Sequence, residues 1–126
     1  MAFDQTGLTF GAYAAGEDLS NAQYTAVKIS SGKAIVACDT SGEVAFGVLY
    51  NKPTSGVAAT VIRSGIVKMV IGTGGLTAGT QWMVAADGTA VTATGTGKYA
   101  MGYVVAGGNA GEIASVSIGD GVGQLN

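Results

Sequence analysis

The chain has 126 residues, enough for one domain with one hydrophobic core and too few for two. Charged residues make up only 11%, against about 25% in an average globular protein, while 48% are apolar and 22 are glycine, a folded rather than a disordered composition. The formal net charge is −2, and Lys28, Lys33, Lys52, Arg63, Lys68 and Lys98 are scattered, so no cationic row exists to neutralise phosphates and nucleic-acid binding is disfavoured.

Residues 1–17 hold Phe3, Leu8, Phe10 and Tyr13 among Gly, Ala and Thr, without a clear strand partner or turn. This reads as an extended N-terminal arm ahead of a single β domain over residues 18–126. Ser20 and Gln23 have capping-box spacing, but Tyr24, Thr25, Val27 and Ile29 favour extension, so one helical turn is the most expected there. Runs of β-branched and aromatic residues then predict strands over 24–30, 34–38, 44–50, 58–63, 66–71, 81–85, 89–94, 99–106 and 112–118. Ser31-Gly32, Ser41-Gly42, Ser64-Gly65, Asp87-Gly88 and Gly107-Gly108-Asn109 separate them and suit hairpin turns, so neighbouring strands should pair antiparallel. The fold class is all-β: a small antiparallel β-barrel or sandwich.

A faint internal repeat runs through the chain. Gly42-Glu43-Val44-Ala45-Phe46-Gly47-Val48 resembles Gly97-Lys98-Tyr99-Ala100-Met101-Gly102-Tyr103, and Leu19-Ser20 and Leu76-Thr77 occupy equivalent starts. It is consistent with two similar units completing one barrel or sandwich, with Gly47 and Gly102 marking bends or close backbone approach.

Mean hydropathy is +0.40, yet every apolar stretch is cut within about ten residues, whereas a spanning helix needs about 20, so a soluble protein is expected with no membrane partner. The opening Met-Ala-Phe-Asp-Gln-Thr lacks the basic and apolar regions of a secretory signal. A folded chain of 12.3 kDa exposes about 6,000 Å², so its charged side chains are thinly spread. Either Thr, Ser and Gly supply the surface polarity, or part of that surface is covered in an oligomer or by a partner.

Chemistry is sparse. Without histidine, Ser-His-Asp and Cys-His sites are excluded. The single Cys38 excludes an internal disulfide, and its setting in Ile35-Val36-Ala37-Cys38 reads as an inert strand core. Glu17-Asp18 and Asp39 with Glu43 are the only local carboxylate pairs, and Asp39-Thr40-Ser41-Gly42-Glu43 is too short for a calcium loop. Gly72-Thr73-Gly74-Gly75 lacks the Lys-Ser or Lys-Thr of a phosphate-binding loop. Trp82 fits a buried strand better than a sugar platform. No enzyme, catalytic residue, metal, cofactor or small-molecule substrate is therefore expected.

Several segments between residues 18 and 118 carry a family likeness: Asp18-Leu19-Ser20-Asn21-Ala22-Gln23-Tyr24, Gly47-Val48-Leu49-Tyr50-Asn51-Lys52-Pro53, and Ala59-Thr60-Val61 running into Gly65-Ile66-Val67-Lys68. Leu76-Thr77-Ala78-Gly79, Asp87-Gly88-Thr89-Ala90 and Gly111-Glu112-Ile113 follow in order. In this pattern the chain resembles the head decoration, or cement, proteins of tailed bacteriophages. The resemblance implies a β-barrel or β-tulip-like sandwich, made in the host cytoplasm and carried on the outer capsid surface of the virion. It also implies a homotrimer that clamps neighbouring subunits of the major capsid protein. Phe3, Leu8, Phe10 and Tyr13 are then candidates for gripping the capsid or a neighbouring subunit, or for folding back over their own barrel. The alternative is a phage fibre or receptor-binding β module that recognises a host-surface glycan.

Overall fold

A computed structural model describes residues 9–119 and 122–126. Among these residues there are twelve strands and no helix: β1 (Thr9–Ala14), β2 (Ala26–Ile29), β3 (Ile35–Ala37), β4 (Gly47–Leu49), β5 (Ala58–Ile62), β6 (Gly65–Val70), β7 (Gln81–Val84), β8 (Ala90–Thr92), β9 (Tyr99–Ala100), β10 (Gly102–Ala106), β11 (Ile113–Ile118) and β12 (Gly123–Gln124). Every predicted strand window overlaps an observed strand, and 99–106 holds two, divided at Met101. The capping-box residues Ser20 and Gln23 lie in turns, with the Asp18 carboxylate accepting from Ser20 N at 3.0 Å.

One expectation is corrected: the segment read as lacking a strand partner contributes β1, which pairs antiparallel with β5 through Thr9↔Ile62, Phe10↔Val61, Tyr13↔Ala59 and Ala14↔Ala58.

The strands form two five-stranded antiparallel sheets, ordered β1-β5-β4-β2-β3 and β6-β11-β10-β7-β8, with β9 and β12 as a small third ladder. The two orders are the same path walked twice, so the faint sequence repeat is a repeat of architecture. Local bonds recur at matching places. Leu19 N donates to Pro53 O and Leu76 N to Gly108 O, both at 2.9 Å, while Gly16 N reaches Ile35 O and Gly72 N reaches Ala90 O, both at 2.8 Å. The threonine hydroxyls of Thr25 and Thr80 donate to Ala22 O at 2.6 Å and Thr77 O at 2.7 Å. In each sheet the outermost strands approach through one parallel bridge, Ala15 with Ile35 and Ile71 with Ala90, short of closing a hydrogen-bonded barrel. The arrangement is sandwich-like.

Gly47 and Gly102 begin the matching strands β4 and β10. A Cβ on Gly47 would lie 2.6 Å from Ile62 O, and one on Gly102 would overlap the Ser117 carbonyl oxygen, so both sites require glycine for close approach to the neighbouring strand.

Register assigns the core. Ala26, Val48 and Ile62 lie opposite one another on one face of the first sheet. They pack in a single buried cluster with second-sheet residues that include Val67, Met69, Trp82 and Val116. The alternate positions Val27, Leu49 and Val61 form a separate cluster with Ile35 and Leu19, against which Tyr13 and Phe46 pack. The first sheet thus has apolar cover on both faces.

Candidate protein-binding face

The arm candidates divide. Phe3 and Leu8 lie outside the described residues. The backbone places Phe10 opposite Val61 in β1. Tyr13, half-buried, sets its ring edge-on to Phe46 at 5.7 Å and 80°. The Arg63 guanidinium lies 4.1 Å from the Phe46 ring centroid, and Arg63 Nε donates to the Phe46 carbonyl at 3.0 Å. Tyr13 is thus part of a packed aromatic and cationic stack on its own domain.

The chemically reactive groups are occupied with backbone. Glu17 accepts from Ala37 N at 2.8 Å, Glu112 from Asn109 N at 2.8 Å, and Asp87 from both Thr89 N and its hydroxyl. Glu43 accepts from Asp39 N at 2.7 Å and Thr40 N at 2.8 Å, and its other oxygen joins Asp39 on Lys28 Nζ at 3.1 and 2.7 Å. Bonds from Ser20, Lys28 and Thr89 hold the carboxyls of Asp18, Asp39 and Asp87 below their ordinary range, opposite to what a general acid needs. Burial pushes the Cys38 thiol up to about 12, the inert behaviour expected of a core cysteine. Among the described residues no three potential ligands gather for a metal ion. A depression of about 300 Å³ lined by Thr73, Ala85, Ala86, Asp87, Thr89 and Val91 offers a carboxylate already bound to Thr89.

The second sheet presents a different kind of surface. β6, β11 and β10 lie side by side, and Ile66, Ile113, Tyr103 and Val105 are 43%, 48%, 41% and 51% exposed. Ile66 stands opposite Ser117 and Lys68 opposite Ser115. Ser117 is tied to Tyr103 on the far side, its hydroxyl accepting from Tyr103 N at 2.9 Å. Ser117 therefore lies between Ile66 on β6 and Tyr103 on β10, and Ser115 between Lys68 and Ala106, giving a shallow trough about two strand spacings wide, roughly 10 Å.

A second cluster adjoins it. Tyr24 and Tyr50 meet edge-on at 6.2 Å and 72°, and Lys68 Nζ lies 6.0 Å from the Tyr24 ring centroid. Gln23 Nε2 donates to Tyr50 O at 2.9 Å. Tyr24 has φ 65°, left-handed backbone that is costly for a bulky residue, and the matching position in the second repeat is Gly79 at φ 89°. The match is set by Tyr24 N donating to Leu49 O and Gly79 N to Val104 O, both at 2.8 Å.

The sequence reading missed this face. Its signal was present as Tyr103-Val104-Val105, consecutive apolar residues that give a strand two apolar sides, only one of which the core can cover.

The fold has a solved counterpart. Over 94% of this chain and 98% of the other, it is similar to the crystal structure of the N base of head fiber gp8.5 of bacteriophage phi29, with a TM-score of 0.67 and 19% identity. The likeness is one of fold. No protein-family model and no curated protein matches the sequence.

Proposed function

We propose that this chain is a non-enzymatic structural protein of a tailed-phage head, a decoration protein that binds the outer capsid surface and stabilises contacts between major capsid subunits. The observation that carries this reading is the shared fold with the base of a phage head fibre along nearly the whole chain. The resemblance to phage cement proteins over residues 18–118 supports it from the sequence side. The exposed apolar trough supplies a surface suited to protein contact rather than turnover, since protein-binding patches concentrate Tyr and aliphatic residues where they can be desolvated. A homotrimer would multiply individually weak contacts with the shell.

A second reading has its own support, because the similar solved structure belongs to a fibre. On that reading the chain is a fibre module, whether seated on the head or presenting loops to a host-surface glycan. Co-sedimentation with undecorated capsids and with host cells separates the two. Saturable binding to capsids alone is expected; binding to cells without binding to capsids would replace decoration with receptor recognition.

A further inference from the structure

The two repeats bury the same ladder positions differently. In the first, Val48 on β4 is 1% exposed because the second repeat packs over it; the matching residue on β10, Tyr103, is 41% exposed. The shared sheet is thus covered on both faces in the first repeat and on one face in the second.

Resting on the head-surface reading, we infer that the outer face of the second sheet, from the β11 trough to Tyr24 and Tyr50, is the surface that docks on the shell. Its partner is a subunit segment that places apolar side chains over Ser115 and Ser117 and a carboxylate against Lys68.

Charge identifies this occupant. Lys68 is exposed, and the ion pairs among the described residues belong to Lys28. Glu112, the residue that precedes β11, is turned back onto Asn109 N. Among the described residues the face therefore carries a cation without a salt-bridged counter-charge, next to an aromatic pair. A second copy laid face to face would bring the same patch, which offers no free carboxylate among its described residues to meet Lys68. A partner with an acidic group beside apolar side chains fits both features.

Tyr24 belongs to the same surface. A glycine meets the backbone demand at the matching position, so the tyrosine is retained against local strain, as side chains at binding sites often are. That gives a clean probe: Tyr24→Gly removes the ring while adopting a conformation the molecule already uses at Gly79.

The test is a capsid co-sedimentation isotherm for the full chain and four variants, with thermal melting and light scattering on each. Tyr103→Thr/Val105→Thr/Ile113→Thr keeps strand propensity and should weaken binding at least about tenfold, the effect of losing central contact residues. Tyr24→Gly and Lys68→Glu should each weaken it several-fold with melting unchanged. Val44→Thr, equally exposed but outside the face, should bind normally. Normal binding by the triple variant would overturn the assignment of the face while leaving decoration standing. Failure of the unaltered chain to bind capsids would overturn the head-surface reading and this partner with it. A concentration-dependent mass lost in the triple variant would put a second copy on the face in place of the shell.

Discussion

The two repeats share a backbone plan and differ in what fills it. Val27 stands opposite Gly47 in the first, Trp82 opposite Gly102 in the second. The indole covers a larger volume and its N–H donates to Ser117 O at 2.8 Å, joining β7 to β11 across β10. The first repeat fills the corresponding space with aliphatic side chains and the Tyr13–Phe46 pair. Ladder order and close glycine contacts therefore define the unit, while side-chain content is free to diverge. That divergence leaves one outer face covered and the other open.

Trp82→Ala should be the most damaging core change. Removing a fully buried indole costs about 3–5 kcal/mol, and the Ser117 carbonyl loses its donor. Val27→Ala, at the matching position, should cost less because fewer atoms leave. Equal losses in urea denaturation would break the view that the second repeat depends on its tryptophan.

The paired glycines come next. Gly102→Ala should destabilise by about 1–3 kcal/mol or more, since its Cβ meets the Ser117 backbone, which cannot rotate away. Gly47→Ala should cost less, because one of its nearest neighbours is the Val61 side chain. Chemical denaturation of both variants would rank them; the reverse order would mean that β5 is held more rigidly than β11.

These contrasts mark what was legible beforehand. The nine strands with β-branched runs were visible, as was the repeat, because Gly42, Ala45, Gly47, Gly56, Ala59 and Val61 recur as Gly97, Ala100, Gly102, Gly111, Ala114 and Val116. β1 was hidden because its register shifts between Phe10 and Tyr13, which breaks the period of two, and Gly11 and Ala12 carry little strand preference. β12 is two residues long, too short for any periodicity. The open face was hidden for a different reason: alternation says that a strand has two sides, not which side another sheet will cover.

Acid should act on the Asp39–Glu43 turn of the first repeat before the matching turn of the second. Bonds from Lys28 hold the Asp39 carboxyl below its ordinary value of 3.8, so the stabilisation is present above that value and is lost as pH falls through the lower folded one. Lys28 is raised, chiefly by Asp39 and then Glu43, so its share is complete below its ordinary 10.5 and is lost only as pH rises through the higher folded value. Met83 and Thr94 stand at the corresponding places in the second repeat and do not titrate. Hydrogen exchange at pH 3 should therefore loosen the Asp39–Glu43 turn before the turn at Gly95. Simultaneous loosening would locate the acid response elsewhere.

The smallest effect is expected where the repeats exchange a tyrosine for a glycine. Left-handed backbone at a non-glycine residue costs about 1–3 kcal/mol, so Tyr24→Gly relieves strain. It also removes an aromatic contact of about 0.5–1.5 kcal/mol and an exposed cation contact of about 0.5–1 kcal/mol. These terms offset, and the stability should move by less than about 1 kcal/mol. The reciprocal Gly79→Tyr meets no clash at its Cβ, since nothing lies within 4 Å of one built there, so it should destabilise by about 1–3 kcal/mol through backbone strain. If calorimetry shows Tyr24→Gly losing more than about 2 kcal/mol, beyond what these two contacts supply once the relieved strain is subtracted, the ring holds the first repeat together and is not spared for a partner. A near-neutral Tyr24→Gly beside a costly Gly79→Tyr would mean that the first repeat carries its strained tyrosine for a contact outside the chain.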